Sequence, residues 1–398
     1  MGKRAYGLCK GNSSKLVLVI SSAEMAREVL KTHDHVFCNR PLIFAFKKLF
    51  RGIAFALYGV DRREMGKICI LELFSARRVQ SFQSVRVEEV ANAVDSSSLS
   101  SSCVVDHIFE RIAFGTSYKG KEPSGSHKIL KVVYEYLFIG VITVTKLFPY
   151  VPWIVDLVIR LRPSIKRKFL EVDSLFQQVI EEHRDPNRQR PVHEDIIDVL
   201  LQLEIDQQII KAVLLDILVG GIDASTVTMV WAMEELVKNP RVIKKVQDEI
   251  RSCVGNKGKV EESDLRQLHY LKMVLKETLR FHPPAAILIP RESMKHCNIN
   301  VYDLYPETMV IVNIWAIGRE LRSWSKPEEF SPERFMDSSI DYKGHHFEFL
   351  PFGSGRRGMT IEDLDMEEAG IFALHKKSGL QLVPIKYDAV FFSEKYSL

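Results

Sequence analysis

The sequence predicts a mostly helical protein with a smaller β region. Apolar residues recur at helical spacing before Phe281, whereas short β-like runs concentrate after Pro284. The chain has 398 residues, 46% hydrophobic and 27% charged, which is the balance of a globular protein with a large core. Because no long linker divides it, we predict a tail over residues 1–14 and one domain over 15–388, helical over about 66–282 and β-richer over about 283–388.

Charge and cysteine usage exclude several classes of protein. The 55 basic and 51 acidic residues leave a net charge of +4, which gives no reason to expect a nucleic-acid partner. The six cysteines lack the spacing of zinc ligands, so we expect free thiols in a reducing compartment. The N-terminus has no apolar signal core, and no uncharged apolar run reaches the ~18–20 residues of a membrane span. As written, the chain is therefore expected to lack a membrane anchor and to be cytosolic.

The first elements are short, and a longer helix follows. Residues 15–20 predict a strand, and Ser22 is placed to cap a helix that ends near Leu30. Further along, apolar residues at alternating steps of four and three predict an amphipathic helix, at Ile165, Phe169, Val172, Phe176 and Val179.

A long buried helix is predicted over residues 209–237. It is apolar on most faces, which is typical of a helix inside a large protein. Gly220 and Gly221 in its middle cost it ~1.6–2 kcal/mol relative to alanine. Two interpretations stay open: a neighbouring helix packs closely at the glycines, or the backbone there approaches a bulky flat ligand.

The pattern then changes from helix to strand. Asn239 and Pro240 predict the start of a helix that reaches about Ser252, and another helix is predicted over residues 264–281, ended by Pro283 and Pro284. Residues 285–289 and 309–314 are β-like, and residues 298–306 are rich in turn formers.

Three segments carry candidate chemistry. The first, residues 276–284, places Glu277 and Arg280 three apart on one helix face, where they can pair. The second, residues 331–335, is a turn that carries Arg334. The third, residues 352–358, is glycine-rich with two adjacent arginines and is suited to binding an anion. Each segment alone also has an ordinary interpretation, as a surface ion pair, a turn or a mobile loop.

Together these segments resemble the cytochrome P450 family of heme-thiolate monooxygenases, most closely its plant microsomal branch. The sequences KETLRFHPP, PRES, PERF and FGSGRRG occur in that family's order and at about its spacing, and GGIDAS and EDLDMEEAG fit it as well. The resemblance runs from about Leu16 to Tyr387. It implies the cytochrome P450 fold, mostly α with a smaller β region.

The resemblance also implies a cofactor, a reaction and partners. The cofactor is heme, and the reaction is a monooxygenation in which one atom of O₂ enters a small hydrophobic plant metabolite. Electrons would come from NADPH through a flavoprotein reductase. The family's location implies the cytosolic face of the endoplasmic reticulum membrane.

Site residues follow from the same resemblance. The family has a buried triad that supports the heme side of the core, implied here at Glu277, Arg280 and Arg334. Heme contacts are implied for Arg63, Arg291, Phe352, Gly355 and Arg357. Proton delivery is implied for Asp223 and Ser225. Substrate contacts are implied for Ile222, Ala224, Ala286, Ile287 and Leu288.

The sequence departs from the family where the metal ligand is expected. Gly358 is followed by Met359 instead of cysteine, and no cysteine follows Cys297, so no metal ligand is assigned. Met359 either replaces the cysteine or marks a missing segment. We favour the missing segment, because the family's proximal helix behind the heme is absent as well. The fold is therefore predicted to lack that helix, and the chain is expected to fold poorly and to bind heme weakly.

Two further departures lie in helices. Ala224 stands where the family has an alcohol, and Ser225 is rotated by ~100° around the helix, so it cannot simply take that place. The family's Trp–Arg pair is here Arg62–Arg63. Two alternatives to a monooxygenase stay open: a degenerate, non-catalytic product, and a heme isomerase or dehydratase that uses no external O₂.

Overall fold

The structure, a computed structural model, describes residues 5–6, 16–41, 52–95, 101–115, 152–188 and 194–356. Several predictions from the sequence fall outside these residues. They are the heme contact Arg357, the role of Met359, the absence of the proximal helix and the outer limits of the domain.

Helices make up most of the described chain. Near the N-terminus lie α1 (Ala23–Arg27, continued by a π turn Glu28–Thr32), α2 (Asp34–Phe37), α3 (Val60–Ile68, continued by a π turn Cys69–Leu73), α4 (Ala76–Ser81), α5 (Gln83–Asp95) and α6 (Ser101–Phe114). Then follow α7 (Pro152–Arg184), α8 (Ile196–Gln202), α9 (Gln207–Ile217), a π turn (Leu218–Ile222), α10 (Asp223–Lys238), α11 (Pro240–Val254), α12 (His269–Phe281) and α13 (Ile314–Ile317). Short 3₁₀ turns lie at Gly255–Lys257, Glu262–Arg266 and Pro332–Phe335.

The described strands are short and form two sheets. They are β1 (Ala5–Tyr6), β2 (Val17–Ile20), β3 (Arg291–Glu292), β4 (Cys297–Ile299), β5 (Tyr302–Leu304) and β6 (Met309–Val312). One sheet has the order β1-β2-β6-β3, and β4 and β5 form a separate antiparallel hairpin. In the larger sheet β2 runs parallel to β6, with Val17 opposite Met309. Strand β2 therefore pairs with a strand nearly 300 residues later, which joins distant parts of the chain in one sheet.

The fold class is confirmed: the described chain is mostly helical, and its β structure is small. The long helix is present, because α9, the π turn and α10 are continuous over Gln207–Lys238. By length and apolarity this helix could cross a membrane, but 61% of its most apolar window is buried inside the protein, as expected of a core helix. A Cβ on Gly221 would lie 2.2 Å from the Phe109 ring of α6, so close helix packing accounts for this glycine.

Residues 298–306, which are rich in turn formers, belong to the β4–β5 hairpin and the turns beside it, and Ile299 and Leu304 are both buried in the core. Three other local predictions were wrong. Residues 285–289 make only one isolated bridge, between Ile287 and Asn313. The helix predicted from residue 264 begins at His269, after a 3₁₀ turn. The Asn239 side chain caps no helix N-terminus, because its amide donates to the Glu235 carbonyl oxygen at 2.8 Å.

Two apolar clusters pack the elements that carry the site. The helical cluster joins α3, α6, α7 and the long helix, with Cys69, Phe176, Val213 and Leu218 at its centre. The sheet cluster joins α1, α2 and the larger sheet, with Leu18, Phe37, Val310 and Leu350. The glycine-rich loop follows directly after Leu350, so its first residues start from the sheet cluster.

Candidate functional site

The structure brings Glu277, Arg280 and Arg334 into one buried ion-pair cluster. The Arg280 guanidinium donates to both carboxylate oxygens of Glu277, at 2.7 and 2.8 Å, and Arg334 donates to Glu277 at 3.0 Å. The side chains of Glu277 and Arg280 are 0% exposed, and that of Arg334 is 10% exposed. Bidentate pairing with Glu277 fixes the geometry of the Arg280 guanidinium group.

The two arginines of this cluster also tie down the chain after α13. Arg280 donates to the carbonyl oxygens of Gly318 at 2.6 Å and of Pro327 at 2.9 Å. Arg334 donates to the carbonyl oxygen of Ser325 at 2.8 Å. Residues 318–334 have little regular structure, so these side chains provide the hydrogen bonds that a helix or sheet would otherwise supply. The cluster is therefore positioned to hold the segment that leads to the glycine-rich loop.

The glycine-rich loop is held at several points through the residues that the structure describes. The Asp34 carboxylate accepts hydrogen bonds from the Arg356 backbone N–H at 3.0 Å and from the Arg291 guanidinium at 2.9 Å. Arg291 also donates to the Ser354 carbonyl oxygen at 2.6 Å. Gly355 has φ +84°, and a Cβ there would lie 2.5 Å from both Asp34 and the Leu30 carbonyl oxygen. Glycine is required at this position by conformation and by space.

Two buried guanidinium groups face the inside of the molecule beside this loop. Arg291 and Arg62 are both buried, and burial lowers the pKa of each from its ordinary value. Asp34 opposes that shift at Arg291, whereas the charge of Arg291 adds to it at Arg62. Arginine stays protonated under such shifts. The two side chains therefore place positive charge in a poorly hydrated region.

Arg63, which the resemblance implied as a heme contact, is exposed on the outer face of α3. The inward position of that helix turn belongs to Arg62, which lies in line with the buried Met65 and Cys69. Arg62 also donates to the Arg356 carbonyl oxygen of the loop at 3.4 Å.

The long helix is hydrogen-bonded to the segment that precedes α3. The Asp216 carboxylate accepts a hydrogen bond from the Ala54 N–H at 3.2 Å, and a Cβ on Gly52 would lie 2.3 Å from the same oxygen. Enclosure by this backbone raises the pKa of Asp216 to about 7, although hydrogen bonds from Ala54 and Ile53 and the charge of Arg62 act against the rise. Asp216 therefore changes charge near neutral pH.

The polar residues of the long helix follow directly after its π turn. Asp223 and Ala224 are buried. The hydroxyl groups of Ser225 and Thr226 are buried and have no hydrogen-bond partner in the part of the chain that the structure describes, whereas Thr228 donates to the Ala224 carbonyl oxygen at 2.7 Å. Unpaired buried hydroxyls cost ~1–3 kcal/mol each, so they are expected where a ligand or water supplies the partner. Ser225 lies one turn after Gly221, on the stripe that faces Phe109.

The predicted substrate contacts differ in their surroundings. Ile222 and Ala224 are buried on the long helix. Leu288 packs against the sheet cluster and lies 3.3 Å from the Cβ position of Gly353, so it supports the loop. Ile287 is 42% exposed, and Ala286 is half-buried, with its carbonyl oxygen bonded to Trp315.

Phe352, the remaining predicted heme contact within the described residues, is half-buried at the start of the glycine-rich loop. Its ring packs edge-on against Tyr342, with 6.1 Å between centroids, beside the cluster of Phe335 and Phe349. The aromatic cluster fixes where the loop begins.

The order of these segments agrees with a known family model. The model of cytochrome P450 matches residues 11–358. The chain belongs to the cytochrome P450 family.

Plant cytochromes P450 are among its relatives. It is 39% identical to cytochrome P450 71B36 of Arabidopsis thaliana, over 93% of this chain and 84% of the relative. It is 40% identical to cytochrome P450 71A1 of Persea americana, over 92% of this chain and 84% of the relative. It is also 39% identical to strychnine-11-hydroxylase of Strychnos nux-vomica, over 92% of this chain and 82% of that protein.

Solved cytochrome P450 structures have the same fold. A zebrafish cytochrome P450 with abiraterone superposes with a TM-score of 0.66 at 26% identity, covering 90% of this chain and 84% of that one. A zebrafish cytochrome P450 with progesterone superposes with a TM-score of 0.67. These matches confirm the mostly helical cytochrome P450 fold over the residues compared.

Heme is the cofactor that this family implies, and the described residues fit its acidic edge. Arg62 and Arg291 place two buried cations beside a loop held by Asp34. Gly66, one turn after Arg62 on the inner face of α3, is buried, yet a Cβ there would meet no atom of the described residues within 4 Å. Open space beside buried cations suits a ligand that is bulky and anionic at one edge.

Sequence reasoning missed Asp34, Arg62 and Asp216. Asp34 lies 257 residues before Arg291, and no local pattern connects the two. Arg62 could have been found, because Met65, Cys69 and Leu73 continue its stripe at helical spacing. Asp216 interrupts the apolar run of residues 212–222 in the long helix, which marks it as unusual, but the segment that it contacts cannot be identified from that pattern.

Proposed function

We propose that this chain binds heme between the long helix and the glycine-rich loop, as a monooxygenase of a small hydrophobic plant metabolite. The observation that carries the proposal is the loop itself, fixed by Asp34 and Arg291 beside two buried cations and open space. The plant relatives support the reaction class, and one of them is by its name a hydroxylase. Heme, when bound, supplies the activation of O₂.

The chain's own residues have separate tasks in this proposal. Arg291 and Arg357 bind the carboxylates of the cofactor, and Phe352 and Gly355 shape the loop beside it. Asp223 holds a proton near the π turn of the long helix. Ile222 and Ala224 form an apolar wall that excludes water, which suits a hydrophobic substrate.

Electron supply and location follow the family in this proposal. A flavoprotein reductase would deliver electrons from NADPH, and the site of action would be the cytosolic face of the endoplasmic reticulum membrane. Membership of the cytochrome P450 family, with plant relatives, supports both assignments.

The metal ligand needs a residue that this sequence does not have after Gly358. We propose that a segment beginning with cysteine is missing between Gly358 and Met359. The alignment with one Arabidopsis relative runs over 425 positions, more than the 398 residues of this chain, so that relative has residues without a counterpart here. Reading the transcript across the codons of Gly358 and Met359 tests this point, and an uninterrupted match to the present sequence would contradict it.

The carbon-monoxide difference spectrum of the reduced protein tests the function. Only a thiolate-ligated heme gives the strongly red-shifted band, so we expect the chain as written to bind heme without that band. Insertion of the missing segment, or Met359→Cys, is expected to produce it. Met359→Ser is the matched control and should not. A red-shifted band from the unaltered chain would contradict the missing ligand, and failure of every form to bind heme would contradict the function.

A further inference from the structure

The end of α7 and the start of α8 meet in a buried pair of titratable side chains. His183, in the last turn of α7, has a side chain that is 3% exposed, and the side chain of Asp195, directly before α8, is 1% exposed. His183 Nε2 and Asp195 Oδ2 are 3.0 Å apart. Neither residue has a task in the proposed function, so the reason for burying them lies elsewhere.

Both ring nitrogens of His183 face hydrogen-bond acceptors. Nδ1 lies 2.7 Å from the Val179 carbonyl oxygen, and Nε2 faces the Asp195 carboxylate. Because a carbonyl oxygen only accepts, the bond to Val179 requires a proton on Nδ1. A neutral imidazole has a single N–H, so Nε2 donates to an ionised Asp195 only when the ring is an imidazolium.

The contacts of Asp195 are those of an ionised carboxylate. Its Oδ1 accepts from the Asp198 N–H at 2.9 Å, and its Oδ2 accepts from the Arg188 guanidinium at 2.8 Å. Burial acts to raise the pKa of Asp195, but the hydrogen bonds from His183, the Asp198 N–H and Arg188 hold it below its ordinary value. The proton between the two side chains therefore belongs to the His183 ring.

The charged groups around this pair are balanced. Arg188 also donates to Asp198 at 2.9 Å, so His183 and Arg188 offer two positive charges to two carboxylates. The C-terminal end of α7 favours a cation at His183, because its last carbonyl groups carry partial negative charge. From α4, Arg78 pairs with Glu194 at 3.6 Å. The other charged side chains next to the pair in sequence are exposed, at Glu182, Arg184 and Asp185.

The pair lies where two helices enter the helical cluster. Phe176 and Ile180 of α7 belong to that cluster, together with Ile197 and Leu200 of α8 and Val213 of the long helix. A contact that joins the end of α7 to the start of α8 therefore helps to fix how α8 packs beside the long helix.

We propose that His183 and Asp195 form a proton-dependent clasp, in which the imidazolium bonds Val179 and Asp195 together and loss of its proton releases the start of α8 from the end of α7. The proton passes to solvent, and the neutral ring keeps one N–H, which serves only one of the two acceptors. The clasp is closed at neutral pH and opens as the pH rises. Histidine in an unfolded chain loses its proton near pH ~6.5, so the folded chain then holds one proton more and its stability falls with rising pH.

The protonation of the ring is tested by ¹⁵N NMR of the full chain at pH 7 with labelled histidine. The resonances that His183→Gln removes identify His183. We expect both of its ring nitrogens to carry a proton. A His183 ring with one unprotonated nitrogen at pH 7 would overturn the proposal.

Urea unfolding from pH 6 to pH 9 tests the linkage to stability. His296→Gln is the matched control, because His296 pairs with Asp303 at the surface, where both side chains are about half exposed. Above pH ~6.5, the unfolding constant of the unaltered chain should rise relative to that of His183→Gln, by up to about tenfold per pH unit. Relative to His296→Gln it should change by less than about twofold per unit. A constant ratio to His183→Gln from pH 6 to pH 9 would contradict the clasp.

Hydrogen exchange of the unaltered chain tests the release itself and needs no variant. After correction for the intrinsic rate at each pH, the amides of α8 should lose protection between pH 7 and pH 9, whereas those of α11 should keep theirs. Unchanged protection of α8 would overturn the proposal. An equal loss in α8 and α11 would also overturn it, because it would show unfolding of the whole chain instead of release of one helix.

Discussion

Single residues outside the familiar motifs decide how this site is held. Asp34 is the clearest case, since one buried carboxylate accepts bonds from the Arg291 side chain and from the Arg356 backbone. It also occupies the space that any side chain at residue 355 would need. A buried charge with two charged or polar donors is stable where a lone one would not be. Asp34 thus keeps Arg291 buried and the loop in one position.

Asp216 makes stability depend on pH in a predictable direction. Its pKa in the folded protein, about 7, lies above the ordinary value of 3.8, so its neutral form favours the folded state. The stabilising contribution is complete below about pH 4 and is lost as the pH rises through 7. The loss amounts to ~1.4 kcal/mol per pH unit within that window.

Asp216→Asn should remove this dependence. We expect the variant to gain stability relative to the unaltered chain as the pH rises from 5 to 8, measured by urea unfolding at each pH. The other titrating groups contribute equally to both proteins, so they cancel when the two free energies of unfolding are subtracted at each pH. Parallel pH profiles for the two proteins would show that Asp216 is ionised throughout.

At the scale of elements, the ion-pair cluster of α12 joins a helix to a loop segment. Glu277→Gln removes the only charge that balances Arg280 and Arg334 among the described contacts of this cluster. We expect a loss of ~3–5 kcal/mol in the free energy of unfolding, because two buried cations are left uncompensated. Glu329→Gln, which removes an exposed pair with Lys326, should cost less than ~1 kcal/mol. Urea unfolding measures the loss in both variants. Equal losses would show that the buried cluster stabilises the protein no more than an exposed ion pair does.

Packing between α6 and the long helix gives a second prediction at this scale. A Cβ on Gly221 would lie 2.2 Å from the Phe109 ring, so Gly221→Ala is expected to cost ~1–3 kcal/mol by overpacking. In the Phe109→Ala variant the added methyl group has room. There Gly221→Ala should raise the free energy of unfolding by ~0.5–1 kcal/mol, because alanine favours a helix more than glycine does.

Gly66→Ala is the matched control for that change, because it adds a methyl group to a buried helical glycine with open space. In heme-free protein it should stabilise the chain slightly, by ~0.5–1 kcal/mol. Thermal unfolding measures the stability of each variant. If Gly221→Ala stabilised the chain while Phe109 is present, the close packing of α6 against the long helix would be contradicted.

Sequence patterns predicted the elements whose causes are local. The long helix followed from its apolar composition, and the Ser22 cap, which accepts from Met25 N–H at 3.4 Å, followed from its position before a helix. The β4–β5 hairpin was missed because the burial of Ile299 and Leu304 is set by the sheet cluster, not by the turn residues around them.

At the scale of the whole molecule, the site is assembled from distant parts of the chain. The Asp34–Arg291 pair spans 257 residues, and the Arg62 contact with Arg356 spans 294. Local motifs indicated the family and which segments matter, but the partners of each segment depend on the fold. The inward position of Arg62, and not of Arg63, is an example. Helical periodicity shows which residues share a face, but not which face meets the loop.

The proposed function requires that the described residues form a binding site for one heme, held at its acidic edge by buried arginines. Titration of the purified chain with hemin, followed by absorbance and by pyridine hemochrome quantification, tests it most directly. We expect saturation at one heme per chain, and weaker binding for Arg291→Ala than for the exposed control Arg77→Ala. Heme uptake without a defined stoichiometry, or binding that Arg291→Ala leaves unchanged, would contradict the claim.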